Sequence, residues 1–397
     1  MFKKKEALIF LIMTFITGIS GSFFYPLSSL FIIEALGASP MMLSAYMILS
    51  IVSSVSVSQL IAAKSDKGWN RKNILLFSTS CYLITMIAFS FIRDYYLAVG
   101  FSMVFGALSG AGMGQLFALG REYADEHIED STTFLSVMRA GIAIAWVVGP
   151  PVAFTLKGAF GFSASFMAAG GATLIALLLG FLYLPNSVIK AQQQLEVTPE
   201  VKPVGATVVL FCVALLFMFS ANNLYVITMP LYLSQELKVD ASWVGYMFGM
   251  AALCEIPFMI KAGRLAARFS TMKLLALSLV SGCLFFVAML NLTEFWQLLL
   301  IQILNGVFIG ITATLGMVAM QDMMRDRLGT ASTLFSNLLQ ISMLVASLSV
   351  GLVGELYSYY AAFYVCLALA ACSLLLLMYF VVAENRVNQA ELAQLTG

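Results

Sequence analysis

Trp243-Val244-Gly245-Tyr246-Met247-Phe248-Gly249-Met250-Ala251-Ala252-Leu253-Cys254-Glu255-Ile256-Pro257-Phe258-Met259-Ile260 is an apolar run as long as a bilayer crossing, with one acid near its middle. About 20 apolar residues span a hydrocarbon core as helix. An ionisable group inside such a run costs several kcal/mol, so it faces a bundle interior or a wet cavity and marks a substrate or ion path. Arg139 holds a similar place in another run, with Trp146 seven residues on.

The rest of the chain repeats that pattern. Of 397 residues, 61% are hydrophobic and 10% charged, against roughly 25% charged in a soluble domain. Twelve apolar runs are read as spans: roughly 7–33, 40–62, 73–92, 95–118, 133–155, 163–184, 205–230, 242–262, 273–291, 295–320, 331–353 and 360–383. The expected fold is an all-α membrane protein of twelve transmembrane helices. The first span is too long for a removed signal peptide and lacks a cleavage site, so it is expected to stay. The six cysteines fall inside spans with no paired spacing and read as small apolar fillers.

Net charge is +1, which gives no reason to expect a nucleic-acid partner. Lys3 to Lys5, Lys64, Lys67, Arg71, Lys72, Lys190, Lys202, Lys261, Arg264, Arg268, Lys273, Arg325, Arg327 and Arg386 alternate with loops holding only Arg93, Lys157 and Lys238. The positive-inside rule then places both termini in the cytoplasm. Tyr95, Tyr96, Trp243 and Trp296 at the opposite span ends suit an interfacial belt.

The chain also repeats at an offset of about 200 residues. Asp94-Tyr95-Tyr96 matches Glu294-Phe295-Trp296, Gly106 and Gly110 match Gly306 and Gly310, and Ser136 matches Ser336. The division expected is a six-helix bundle over 1–184, a Gln-, Glu-, Lys- and Pro-containing cytoplasmic linker over 185–204, and a second bundle over 205–397. Two such halves in parallel repeat are the architecture of major-facilitator transporters. Lys64-Ser65-Asp66-Lys67-Gly68-Trp69-Asn70-Arg71-Lys72 resembles that superfamily's turn between spans 2 and 3, without its leading glycine. The second-half counterpart, Gly263-Arg264-Leu265-Ala266-Ala267-Arg268, has Ala for the Asp. The resemblance implies a gate role for Asp66 and Arg121; the plainer alternative is a solvated turn that sets topology. Ala145-Trp146-Val147-Val148-Gly149-Pro150-Pro151 resembles the Gly-Pro motif of proton-coupled exporters, without the trailing glycines.

Gln115-Leu116-Phe117-Ala118-Leu119-Gly120-Arg121-Glu122-Tyr123-Ala124-Asp125, then Ser136-Val137-Met138-Arg139-Ala140, and Cys254-Glu255-Ile256-Pro257-Phe258-Met259 are similar to bacterial sugar efflux transporters over essentially the whole chain. That resemblance implies a proton-driven exporter of lactose, glucose and related glycosides in an inner membrane. Sugar, protons and membrane lipid are then the partners of a monomer, with no cofactor and no metal.

The candidate site begins with Glu122, Arg139 and Trp146. Seven residues are two helical turns, so Arg139 and Trp146 share a face. Carboxylate and guanidinium take hydroxyls in bidentate fashion, and an indole stacks on a pyranose. The set also resembles the sugar site of lactose permease. The alternative is a Glu122–Arg139 ion pair locking two helices. In the second half, Asn222, Asn305, Asn337 and Gln340, with Glu255, are expected to form a polar wall. Gln302/Asn305 and Asn337/Gln340 are each spaced i, i+3. Asn222 is preferred over Asn223 because it is i, i+3 from Tyr225. The alternative for each amide alone is a bond to a neighbouring helix. Glu255 is the candidate coupling carboxyl, with substrate contact or structural pairing as competing roles. His127, the only histidine, reads as a solvated loop residue in the acidic stretch 122–130.

The runner-up function is a multidrug exporter of the same fold, which 31 Phe and 23 Met do not exclude. A membrane enzyme is disfavoured by the lack of a phosphate loop, metal cluster or histidine-paired nucleophile.

Overall fold

Pro26 and Pro230 each precede a π-helical turn, Phe31–Ala35 and Tyr232–Glu236. Proline removes a backbone donor and breaks the regular ladder, and the chain recovers through a single π turn. The two turns lie 201 residues apart, close to the offset of the sequence repeat; a third π turn, Ser102–Gly106, has no proline before it. The computed structural model describes residues 5–66, 69–185, 205–325 and 328–396, with side chains at 62–66, 132, 267, 328–330, 332–333 and 383–396 left aside. The linker expected at 185–204 thus falls almost wholly outside the described residues.

The helices are α1 (Lys5–Leu30, then the π turn), α2 (Pro40–Asp66), α3 (Arg71–Phe91), α4 (Tyr95–Phe101 to Gly112–His127), α5 (Ser131–Phe160), α6 (Phe162–Tyr183), α7 (Ala206–Leu231, then the π turn), α8 (Ala241–Phe269), α9 (Thr271–Met289), α10 (Phe295–Met323), α11 (Leu328–Leu356) and α12 (Ala362–Thr396). Among the described residues twelve helices are long and apolar enough to cross a membrane. No strand occurs among them.

The chain forms two compact units. One comprises Met1–Glu200 with Lys238–Gly249, the other Val201–Leu237 with Met250–Gly397. In the first, α1 packs on α5 and α6, and α3 on α6 and α4. In the second, α7 packs on α11 and α12, and α9 on α12 and α10. Each has an aromatic centre. Phe24, Phe31, Phe89 and Phe166 interlock through edge-to-face and tilted contacts in the first, with Phe31 and Phe166 5.1 Å apart. Tyr225, Phe285, Phe286 and Phe363 do so in the second, Tyr225 and Phe285 being 5.0 Å apart. Such ring pairs contribute about 0.5–1.5 kcal/mol beyond their burial.

The π turns Phe31–Ala35 and Tyr232–Glu236 each carry an acid that ties helix ends. Glu34 pairs with Lys157 in the last turn of α5 at 2.7 Å, with side chains only 19% and 16% exposed. Glu236 accepts the backbone N–H groups of Tyr359 and Tyr360, ahead of α12. Lys157 therefore lies inside a helix and an ion pair, where the sequence suggested a loop. At the other end, Lys72 Nζ donates to Leu184 O at 2.6 Å and Phe181 O at 3.2 Å, satisfying the orphan carbonyls that close α6.

The acidic stretch 122–130 is a second departure. Residues through His127 are helical, and the His127 ring stacks on Tyr123 at 4.8 Å. A buried apolar patch of Phe10, Tyr123, Phe134 and Met138 holds this end of α4 in place, so the helix continues past the hydrophobic run that marked the span.

Candidate functional site

The site expected in the first half is built on α5, and α5 is set by its seam with α1. Gly18 backs onto Ala145 and Ile142, Gly141 onto Phe15, and Gly149 onto Ser22. Small residues let membrane helices approach closely without a hydrophobic drive. Ser22 Oγ donates to Ile19 O at 2.8 Å and lies 3.3 Å from Ala145 O, stitching the two helices.

With that seam fixed, Arg139 and Trp146 lie about 20° apart on the wheel at 100° per residue. Arg139 is exposed and Trp146 half-buried. Ile144 and Val148, two residues either side of Trp146, turn about 160° away from it and are 50% and 46% exposed. Thus α5 has an exposed aliphatic stripe fit for hydrocarbon and, opposite it, a face carrying a guanidinium and an indole. An exposed cation on a membrane helix belongs against water or a polar ligand. Arg139 has no ion pair among the described residues. Across the seam, the Tyr25 ring of α1 meets Trp146 at 6.4 Å and 65°. Tyr25 was passed over in the sequence because it sits in a uniformly apolar run.

Glu122 does not join this set. Its carboxylate is taken by Arg71 Nε at 2.5 Å. Arg71 opens α3, which packs on α4, so the cation that pairs with Glu122 comes from a neighbouring helix end, and the expected alternative of a Glu122–Arg139 ion pair is not formed. Arg121 lies against Asp125 one turn on, at 3.7 Å, both exposed. Asp66 closes α2, and its side chain lies outside the described residues.

In the second unit, α8 is seated on α10 by two glycines. A Cβ on Gly306 would lie 2.6 Å from Cys254 Cβ and 2.7 Å from its carbonyl carbon; one on Gly310 would lie 2.7 Å from Glu255 O. The contact holds Glu255 at a set height and rotation. Its side chain is half-buried and has no ion pair or hydrogen bond among the described residues. The two adjacent amides separate: Asn223 donates to Ser342 of α11 at 2.9 Å, while Asn222 is half-buried without such a bond. Asn337 is exposed and Gln340 half-buried on one face of α11. Asn305 departs from the expected wall. It is buried and donates to Gln302 Oε1 at 3.1 Å, and Gln302 donates to Tyr225 OH at 3.3 Å. This chain of bonds braces α10 against α7, because a buried amide binds what packs on it.

Two compact units of transmembrane-length helices, with Arg139 and Glu255 in spans and without an ion pair among the described residues, define a multi-pass α-helical membrane protein. The model of the Major Facilitator Superfamily matches residues 10–220 and 210–395. Sugar efflux transporter A of Dickeya chrysanthemi is 35% identical over 91% of this chain and 92% of its own. Sugar efflux transporter C of Escherichia coli (strain K12) is 32% identical over 94% and 95%. The crystal structure of the nucleoside transporter NupG superposes with a TM-score of 0.75 at 16% identity, over 96% of this chain and 99% of that one, a likeness of fold. The chain belongs to the Major Facilitator Superfamily and, within it, to the sugar efflux transporters. It is a transporter rather than an enzyme, and a multi-pass protein of the bacterial inner membrane.

Proposed function

We propose that this protein exports sugars of the lactose and glucose type, exchanging them for protons by alternating access, with both termini in the cytoplasm. The observation that carries this reading is the face of α5 with an exposed Arg139 and a half-buried Trp146, in a chain 35% identical to a sugar efflux transporter. A guanidinium presents five donors in a fixed fork, suited to vicinal hydroxyls, and the indole offers a flat apolar partner to a pyranose.

Within the second unit, Asn222, Asn337 and Gln340 are the amides assigned to substrate contact. Glu255 is the proton-coupling group. A carboxyl in a membrane helix that lacks a cation or a hydrogen-bond partner is a site where a proton is loaded and released. The basic turns support the orientation. Asp66 steadies the gate on the cytoplasmic side.

The test is labelled-lactose counterflow in proteoliposomes of wild type, Arg139→Ala and Glu255→Gln. Counterflow requires binding and alternation but no net proton movement. Wild type exchanges lactose, Arg139→Ala loses exchange, and Glu255→Gln keeps exchange while losing transport driven by a pH gradient. Wild type that ignores sugars and moves a lipophilic cation overturns the proposal in favour of a multidrug exporter. Loss of both activities in Glu255→Gln, with Arg139→Ala intact, overturns the placement of the sugar site.

A further inference from the structure

Between Ile9 and Leu36, along α1 and its π turn, every residue is buried or half-buried except Tyr25, which is exposed. It is 39% exposed, and its ring stands against Trp146 at 6.4 Å with planes 65° apart. Two rings at a steep angle make a corner, not a stack. The wall of that corner is rigid. Ser22, one turn before Tyr25, is bonded toward Ala145, one residue before Trp146, and Gly149 and Gly18 leave no slack between the helices.

We propose that Tyr25 is a sugar-binding and specificity-determining residue, completing with Trp146 an aromatic corner that receives one pyranose ring. The inference rests on the sugar-export reading above. The indole face lies under the C–H face of the sugar. Tyr25 closes the side, its ring edge against the sugar and its hydroxyl, as donor and acceptor, reaching a ring hydroxyl. Arg139, seven residues and so about 10 Å along α5, is spaced to hold the second unit of a disaccharide. The corner therefore selects glycosides with an unobstructed pyranose face, and Tyr25 acts on the ring nearer Trp146.

The experiment is lactose counterflow over a range of concentrations in proteoliposomes of wild type, Tyr25→Phe and Tyr25→Ala. Thermal unfolding and gel filtration of each purified variant report whether it folds. Tyr25→Phe raises KM about three- to tenfold by losing one hydrogen bond. Tyr25→Ala raises it further, while the maximal exchange rate and the unfolding midpoint of Tyr25→Phe stay near wild type. A packing role would instead lower the midpoint and the maximal rate together, with KM unmoved. That result, or an unchanged KM in both variants, overturns the inference and leaves sugar export standing. If wild type itself gives no counterflow, the export reading fails and this inference with it. Should Tyr25→Ala not fold, Tyr25→Phe and Tyr25→Leu decide.

Discussion

Gly149→Ala tests the α1–α5 seam on which the candidate site depends. A Cβ at position 149 would overlap Ser22 Oγ and lie 2.9 Å from Ser22 Cβ. Ser22 is fully buried, so its hydroxyl has nowhere wet to turn. Rotating it forfeits its bonds to Ile19 O and Ala145 O, at about 0.6–1.7 kcal/mol in a membrane helix pair. The remaining carbon–carbon overlap adds roughly 1–3 kcal/mol of overpacking. Against this, Ala is favoured over Gly in a helix by about 1 kcal/mol. Overpacking wins, and the net loss is about 1–3 kcal/mol. The diagnostic is the rescue series. Ser22→Ala removes only the oxygen and relieves Gly149→Ala partly. Ser22→Gly removes both atoms and restores most of the loss, a coupling of about 2 kcal/mol in a double-mutant cycle. Unfolding in detergent followed by tryptophan fluorescence reads this as several degrees, at about 2–4 °C per kcal/mol for a unit of about 200 residues. Gly149→Ala as stable as wild type, or a Ser22→Gly that gives no rescue, refutes the reasoning.

Gly306→Val meets the Cys254 backbone itself, which no side-chain rotation relieves. It is expected to abolish gradient-driven transport and lower the unfolding midpoint more than Gly149→Ala does. Lys157→Met takes the paired cation away from a mostly buried Glu34, at about 1–3 kcal/mol; the double variant with Glu34→Gln regains most of it in the same unfolding assay. Glu122→Gln costs under about 1 kcal/mol, since its pair with Arg71 is partly solvated, and leaves lactose KM within about twofold of wild type; a large rise in KM would return Glu122 to the sugar site. The Asp240 carboxyl is held below its ordinary range by the hydroxyl and the N–H of Ser242, with help from Lys157. A depressed carboxyl stabilises above its unfolded pKa of about 4 and loses that contribution as pH falls through the lower folded value. Stability from this cap of α8 is therefore flat from pH 5 to 8. Asp240→Ala costs about 1 kcal/mol there and Asp240→Asn much less, read by unfolding midpoints across pH.

The spans, their number and the repeat were legible because the bilayer asks each helix for the same apolar length, and that demand is local in the chain. Arg139 and Glu255 stood out for the same reason: a charge in an apolar run is conspicuous without any knowledge of its neighbours. The repeated glycines at 106, 110, 306 and 310 were visible as a pattern. Only the packed helices show that Gly110 makes room for Ser54 and Ser58 and that Gly306 and Gly310 seat the Glu255 segment.

What tertiary structure decided was partnership. Composition cannot say whether Glu122 goes to Arg139 or to Arg71, because the choice depends on which helix ends lie side by side. It cannot tell an amide on an open face, such as Asn337, from one consumed inside a network, such as Asn305, since both sit at the same i, i+3 spacing. The helical turn through His127 was hidden because a polar stretch carries no hydropathy signal, while the ring packing of Tyr123 that sustains it is a contact with α1 and α5. Tyr25 was hidden for the opposite reason: one more aromatic in an apolar helix looks like core until the neighbouring helices are in place and leave it partly exposed. Hydrophobic length is a property of a segment and can be read along the chain; exposure and pairing are properties of packed surfaces, and exist only once the helices have met.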